Sequence, residues 1–294
     1  MKNGPLVMAL VVCGVLLVGC ETRRAVPDGP VTGTFTDDLG REVKVPVPMN
    51  RVVSLAPSIT EMLFAAGAGD RLIGVTSYCN YPAETVNIQK VGDTLTPNIE
   101  SIVALRPQVV FVSTASQLEA FTTLLTEQKI AVYVLDVKKI DDVPDRLRRL
   151  GKMFWTNEPA EKAAKDFEQR QKNVESTVKQ AERPKVFLQI SNEPLFTIGS
   201  DSFMTELVEL AGGISLTKDI TGGYPKISKE TALAMDPDVI VLSDSDDNRE
   251  PNTVFSNSKA VKNGRIIRVN ADILSRPGPR LADALEQIAG FLNK

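Results

Sequence analysis

The sequence predicts an α/β protein: two doubly wound α/β lobes joined by one long rigid connector helix, with a ligand cleft between the lobes. Three observations carry this. Short β-branched runs alternate with helical patterns, a polar helical stretch separates two such halves, and one block of the first half recurs in the second.

The alternation comes first. Arg51–Leu55, Leu72–Val75, Val109–Val112 and Val132–Leu135 read as strands. Between them, Ser58–Ala66 carries an apolar stripe at Ile59, Met62, Leu63 and Ala66, and Leu118–Gln128 is a second helical pattern. Strands separated by helices imply parallel sheets. The second half restarts with Val186–Ile190. A helix over Phe203–Ala211, strands at Val239–Leu242 and Ile266–Val269, and a last helix from about Pro279 to Leu292 follow.

The middle differs. Val143, Leu147 and Leu150 give a helical spacing. Thr156-Asn157-Glu158-Pro159 then reads as a helix start, with a capping side chain and proline in the first turn. A charge-rich stretch runs to about Ala181 with a sparse apolar face of Ala163, Ala164, Phe167, Val174 and Val178. At ~1.5 Å per residue such a helix extends about 35 Å, which suits a rigid connector better than a core helix.

The repeat is gapless. Glu100–Ser113 aligns onto Glu230–Ser243, with Glu, Ala, Pro, Val and Ser coinciding and nearly every other apolar position remaining apolar. Each copy reads as helix, proline stop and buried strand. Thr60-Glu61 and Ala66-Gly67 likewise match Thr205-Glu206 and Ala211-Gly212, in helices ending at glycine. Two matches in the same order imply two lobes of like fold. The expected divisions are 1–19, 20–34, 35–155, 156–183 and 184–294: signal peptide, tether, N-terminal lobe, connector and C-terminal lobe. A cleft between such lobes is a natural site for a small ligand, and a rigid connector predicts that it is largely preformed.

Lys2 followed by the apolar run Leu6–Val18 reads as a secretory signal, too short for the ~20 residues of a spanning helix. The run ends in Leu17-Val18-Gly19-Cys20, which resembles a bacterial lipobox, so Cys20 is the expected lipidation site. Glu21–Gly33, rich in Pro, Gly and charge, reads as a flexible tether. With Cys13 in the signal and Cys20 lipidated, Cys79 is the one thiol left, so no internal disulfide is expected.

The sequence contains no histidine, which excludes Ser-His-Asp and Cys-His catalysis and histidine-ligated zinc or haem. Net charge is −3 with both signs interspersed, and apolar content is 43%. No basic face points to nucleic acid, and no nucleophile elbow, phosphate-binding loop or metal-ligand spacing is present. Asp244, Asp246 and Asp247 cluster after a strand and could bind metal or act as acid and base, but their Ser/Asp/Asn setting reads as a solvated loop. The chain is therefore expected to bind rather than catalyse, with no resident cofactor and no protein-bound metal.

Candidate ligand loops follow strands. Thr76–Pro82 holds Tyr78 and Tyr81, two of the four tyrosines. Asn192–Gly199 holds Phe196, and Gly222–Pro225 holds Tyr224. An aromatic on a loop can stack on a flat ligand, and each can equally pack beneath its own loop. Asp272 and Arg276 could hydrogen-bond a polar ligand edge or form a surface pair. Glu100 and Glu230 open their repeat helices, where a carboxylate offsets the helix dipole by ~0.3–1 kcal/mol. One such carboxylate per lobe could also meet a symmetric partner carrying arginines.

Arg51–Glu61, Gly74–Pro82, Pro97–Glu100 and Ser275–Arg280 together resemble the helical-backbone substrate-binding proteins of ABC importers, the class serving cobalamin, ferric siderophores and haem. The resemblance spans Phe35–Lys294, and the Ser-Tyr-x-x-Tyr-Pro and Pro-Asn-Ile-Glu segments are most similar to the cobalamin-binding branch. It implies a corrinoid or ferric chelate as transported ligand, a homodimeric ABC permease as partner, and attachment to the extracytoplasmic side of a membrane through the N-terminal lipid, in a periplasm or at a cell surface. It assigns Glu100 and Glu230 to docking on permease arginines. Tyr78, Phe196 and Tyr224 match cleft aromatics, and Asp272 and Arg276 a polar pair at the ligand edge. Thr94 and Ser113 stand where that branch can carry tryptophans, and the single tryptophan, Trp155, lies by the connector. The rival ligand is a ferric siderophore, for which Arg276 and Arg280 would matter most; haem could use a tyrosine to ligate iron.

Overall fold

The computed structural model describes Met1 and residues 31–114, 118–178 and 183–293. The signal peptide, Cys20 and most of the tether lie outside the described residues. The body is the unit Thr32–Lys294. It opens with a hairpin, β1 (Thr32–Thr36) paired antiparallel with β2 (Glu42–Pro46). Thr32, Gly33 and Thr34, read from the sequence as the end of the tether, are thus already paired in a strand. Asp37 closes the hairpin turn by accepting from the Leu39 and Arg41 N–H groups at 3.0 and 2.9 Å.

The first lobe is β3 (Val52–Ser54), α1 (Pro57–Ala65), β4 (Leu72–Val75), β5 (Gln89–Lys90), α2 (Ile99–Ala104), β6 (Val109–Val112), α3 (Leu118–Glu127) and β7 (Ala131–Val134). Its sheet runs β5-β4-β3-β6-β7, all parallel. Two helices follow, α4 (Asp142–Phe154) and α5 (Asn157–Thr177). The second lobe comprises β8 (Lys185–Ser191), β9 (Phe196–Thr197), α6 (Phe203–Leu210), β10 (Ile214–Ser215), α7 (Lys229–Leu233), β11 (Val239–Asp244), α8 (Lys259–Lys262), β12 (Ile266–Asn270), α9 (Ala271–Ser275) and α10 (Leu281–Leu292). Its parallel sheet runs β10-β8-β11-β12, with β9 antiparallel on β8.

The repeat extends to single dihedrals. Asn98 caps α2 by accepting from the Ser101 N–H, and Ser228 caps α7 by accepting from the Thr231 N–H. Each helix is followed by a non-glycine residue in the left-handed region, Arg106 at φ 48° and Asp236 at φ 39°. A proline comes next in each copy and cannot continue a helix. Val52 then pairs with Val109, as Val186 pairs with Val239.

Connector helix α5 ends at Thr177, earlier than the sequence pattern suggested, and Val178 is extended. Thr156 is its N-cap residue, but the hydroxyl makes no capping bond and is buried without a partner among the described residues. The helix does not stand free. It buries Ala160, Ala164, Phe167 and Val174 and packs on α1, α4 and α10. Gly151 lets α4 approach α5 closely, since a Cβ there would lie 2.5 Å from the Ala160 Cβ. The largest apolar cluster consequently runs unbroken from Val52 and Leu63 in the first lobe, through Phe154 and Phe167, to Leu207, Leu285 and Ile288 in the second. Charges follow the same seam: Arg148 of α4 bonds Glu161 and Glu168, while Arg170 bonds Asp283 and Glu286 of α10. Connector and core helix are here one element, because its thin apolar stripe faces both lobes at once.

Candidate functional site

Parallel strands aim their carboxyl ends at a crevice where side chains from following loops converge. Here the two sheets do so from opposite sides. A cavity of about 770 Å³ lies between the lobes, within the ~300–1,000 Å³ of typical ligand sites. Its first wall is built from segments that follow β3 (Pro57, Ser58), β4 (Tyr78), β6 (Ser113, Thr114) and β7 (Leu135–Lys138). Its second wall comes from Asp201–Phe203 at the start of α6, from Tyr224, and from Asp272, Ser275 and Arg276 after β12.

Tyr78 and Tyr224 are among the most exposed apolar side chains, at 62% and 49%. They are aromatic surface offered by opposite lobes. Burial of its hydroxyl end pushes the Tyr224 phenol above its ordinary value, against the pull of a hydrogen bond with Ser202, so the ring stays neutral. Phe196 is elsewhere. It sits half-buried in β9, bridged to Lys226, and is not among the lining residues. Ser113 lines the cavity, whereas Thr94 and the exposed Trp155 do not.

Asp272 and Arg276 do reach the cavity, with a difference. The Arg276 guanidinium is 8% exposed as a residue and its terminal donors are occupied. Nη1 donates to Glu61 at 3.1 Å and to Asn80 Oδ1 at 2.7 Å; Nη2 donates to the Tyr78 carbonyl at 3.2 Å and pairs with Asp272 at 2.6 Å. Arg280 grips the same Glu61 carboxylate through Nε at 2.8 Å and Nη2 at 2.6 Å and lies over the Tyr81 ring at 4.2 Å. Asp272 also accepts from Asn80 Nδ2 at 2.7 Å. The pair read from the sequence as a ligand contact is therefore first a seam between the lobes. Glu61 neutralises it from a helix whose sequence shows only an apolar stripe.

Sequence reasoning missed Asp136, Lys138 and Asp201, which supply the charge in the cavity outside this seam. Thr114 donates to Asp136 at 2.6 Å and Ser200 to Asp201 at 2.9 Å. Among the described residues no group of His, Cys, Asp and Glu is arranged to hold a metal ion, and no helix is long and apolar enough to cross a membrane.

The two-lobe fold is shared with known proteins. Residues 52–273 match the family described as Periplasmic binding protein. The vitamin B12-binding protein of Vibrio cholerae serotype O1 is 31% identical over 249 residues, covering 84% of this chain and 90% of its own. That of Pectobacterium carotovorum is 34% identical over 245 residues, covering 82% and 88%. The crystal structure of the periplasmic vitamin B12-binding protein BtuF of Vibrio cholerae superposes with a TM-score of 0.73 at 29% identity, covering 83% of this chain and 97% of that one. A periplasmic heme-binding protein of Pseudomonas aeruginosa shares the fold, with a TM-score of 0.74 at 24% identity over 83% and 92% of the two chains.

This chain belongs to the periplasmic binding protein family. As a periplasmic binding protein it has the two-lobe architecture that the alternation and the repeat predict. Glu100 and Glu230 sit apart from the cleft in such a protein, each exposed in the first turn of its helix, α2 and α7. Neither forms an ion pair within the described residues. Hydrogen bonds from its own N–H and from Ser228 hold the Glu230 carboxyl below the usual carboxylate range, so it is charged at neutral pH. An uncovered side chain lies near each in sequence, Leu95 at 59% exposed and Leu233 at 64%.

Proposed function

We propose that this periplasmic binding protein captures cobalamin or a related corrinoid in its interlobe cleft, outside the cytoplasm, and delivers it to a homodimeric ABC permease. In this reading Cys20 carries the lipid that holds it to the membrane, 35–155 and 184–294 act as the lobes on the connector 156–183, and Glu100 and Glu230 dock on the permease. Tyr78 and Tyr224 stack on the macrocycle, with Asp272 at its polar edge. Phe196, half-buried in β9 and off the cavity lining, is given no ligand contact in this reading.

One observation carries the choice of ligand. Arg276 and Arg280 are neutralised by Glu61 and Asp272, so neither is free to receive an anion. The charges remaining on the cleft walls are Asp136, Asp201 and Lys138, an acidic excess. Such a surface repels the carboxylates and catecholates of an anionic chelate and suits a flat ring fringed by neutral amides, with tyrosine faces on both sides. The relatives named for vitamin B12 agree with this. A ferric siderophore is the second reading, favoured by Lys138, a cleft cation without an ion-pair partner among the described residues.

Titration of the purified full-length chain in detergent with cyanocobalamin, haem and a ferric-siderophore panel tests the proposal. Cyanocobalamin should bind stoichiometrically and unchanged. No binding below ~10 μM, about −7 kcal/mol, refutes the corrinoid reading.

A further inference from the structure

We infer that Glu61, which touches no part of the cavity, is the positioning residue for its aromatic wall. The first-lobe aromatic of that wall, Tyr78, is carried on the segment between β4 and β5. Its side chain stands 62% exposed at the cleft, so little packing fixes the ring; the backbone beneath must do so. That backbone is held on two sides. On one, the Cys79 thiol lies 3.2 Å from the Thr60 hydroxyl and 3.1 Å from that of Thr76. Lys90 Nζ also donates to the Cys79 carbonyl at 2.9 Å and that of Thr85 at 3.0 Å. These contacts all lie within the first lobe. On the other side every hold comes from the second lobe: Arg276 on the Tyr78 carbonyl and Asn80 Oδ1, Asp272 on Asn80 Nδ2, and Arg280 on the face of Tyr81.

Both arginines converge on one carboxylate. Glu61 is 3% exposed and accepts three charge-assisted hydrogen bonds, at 3.1, 2.8 and 2.6 Å. Without its charge, two guanidiniums would share a buried site with only the half-exposed Asp272 to balance them, an expensive arrangement. They would turn toward solvent and release the Tyr78 carbonyl and the Tyr81 ring, leaving Asn80 held across the interface by Asp272 alone. Glu61 therefore acts on the ligand through a chain of contacts: carboxylate, guanidinium, loop backbone, tyrosine ring. Its repeat counterpart Glu206 also crosses the interface, accepting from the Ile140 N–H at 2.8 Å. It does not reach an aromatic loop, so the positioning role belongs to Glu61 alone of the pair.

The inference rests on the cleft being the ligand site, and a double-mutant cycle separates the two. Wild type, Glu61→Gln, Tyr78→Ala and the double variant are titrated with cyanocobalamin. In parallel, amide exchange is followed in the ligand-free proteins. Glu61→Gln should weaken binding ~10-fold, within the coupling expected of groups sharing one hydrogen-bond network, and less than ~2-fold further once Tyr78 is gone. Amides of 77–81 should exchange faster in Glu61→Gln while those of β11 are unchanged. A loss that is additive with Tyr78→Ala, or loop exchange equal to wild type, overturns the inference, since a merely structural glutamate would weaken both backgrounds alike. Should Glu61→Gln fail to fold, Glu61→Asp, which keeps the charge but retracts it, is put through the same cycle with the same criteria. If wild type binds no cyanocobalamin, the corrinoid reading fails by itself and loop exchange alone decides the role of Glu61.

Discussion

Replacing Phe167 by alanine tests whether the two lobes are one folding unit. Phe167 lies on α5, is 2% exposed, and belongs to the apolar cluster that continues into both lobes. Truncating a buried phenylalanine removes its transfer free energy and leaves a cavity that close-packed helices relax into only partly, about 3–5 kcal/mol in total. The crossing is tight on the same face two turns earlier, where Gly151 meets Ala160, so little collapse is expected and the upper half of that range applies. Urea unfolding reads the loss in two ways. Trp155, the single tryptophan, sits exposed at the α4–α5 junction and reports the seam; far-UV circular dichroism reports both sheets. With a slope of ~3 kcal/mol/M, a loss of ~4 kcal/mol lowers the midpoint by about 1.3 M in both signals together. A loss under ~1 kcal/mol, or separated transitions of which only one moves, would refute the single-core reasoning. With it would go the physical basis for a cleft that is open and shaped before ligand arrives.

Other expectations follow from single contacts. Glu100→Ala and Glu230→Ala should leave cyanocobalamin affinity unchanged and shift stability by no more than ~1 kcal/mol each, yet the double variant should lower uptake in cells; loss of affinity would refute a docking role. Tyr224→Phe should bind as wild type, because the ring and not the phenol faces a flat ligand, while Tyr224→Ala should cost about 0.5–1.5 kcal/mol by calorimetry. Burial raises the Asp37 carboxyl, but the Arg41 side chain and N–H groups outweigh it, so the folded value lies below the ordinary 3.8. Its stabilisation is present above 3.8 and is lost as pH falls through the lower folded value. Wild type should therefore lose its advantage over Asp37→Asn between neutral and strongly acid pH in equilibrium unfolding. Cys20→Ser should abolish radiolabelled-lipid incorporation and leave the chain in the soluble fraction.

What the sequence made legible, and what it hid, divides along contact distance. The repeat is local chemistry: a capping side chain, a left-handed helix end and a proline recur at Asn98, Arg106 and Pro107 and again at Ser228, Asp236 and Pro237. Such signals act over a few residues, so the lobes and their strands could be read directly. The first three residues of β1, Thr32 to Thr34, read as tether because Pro and Gly precede them, while their pairing depends on a partner strand. Phe196 shows the limit for site residues: a strand-then-aromatic pattern marks a loop, but which face the ring takes depends on Lys226 across the bridge. The seam was the least legible. Glu61 interrupts an apolar stripe and would ordinarily be placed at the surface, and its partners lie 215 and 219 residues away. Arg276 and Arg280 look from sequence like free cations suited to an anionic ligand. Arg280 stands off the cleft lining, and Arg276, which does line it, is balanced there by Glu61 and Asp272; the choice between a chelate and a corrinoid turns on that. A buried carboxylate on an otherwise apolar helix is therefore the sequence signal to follow, since the cost of burying it unpaired demands cations that local pattern cannot locate.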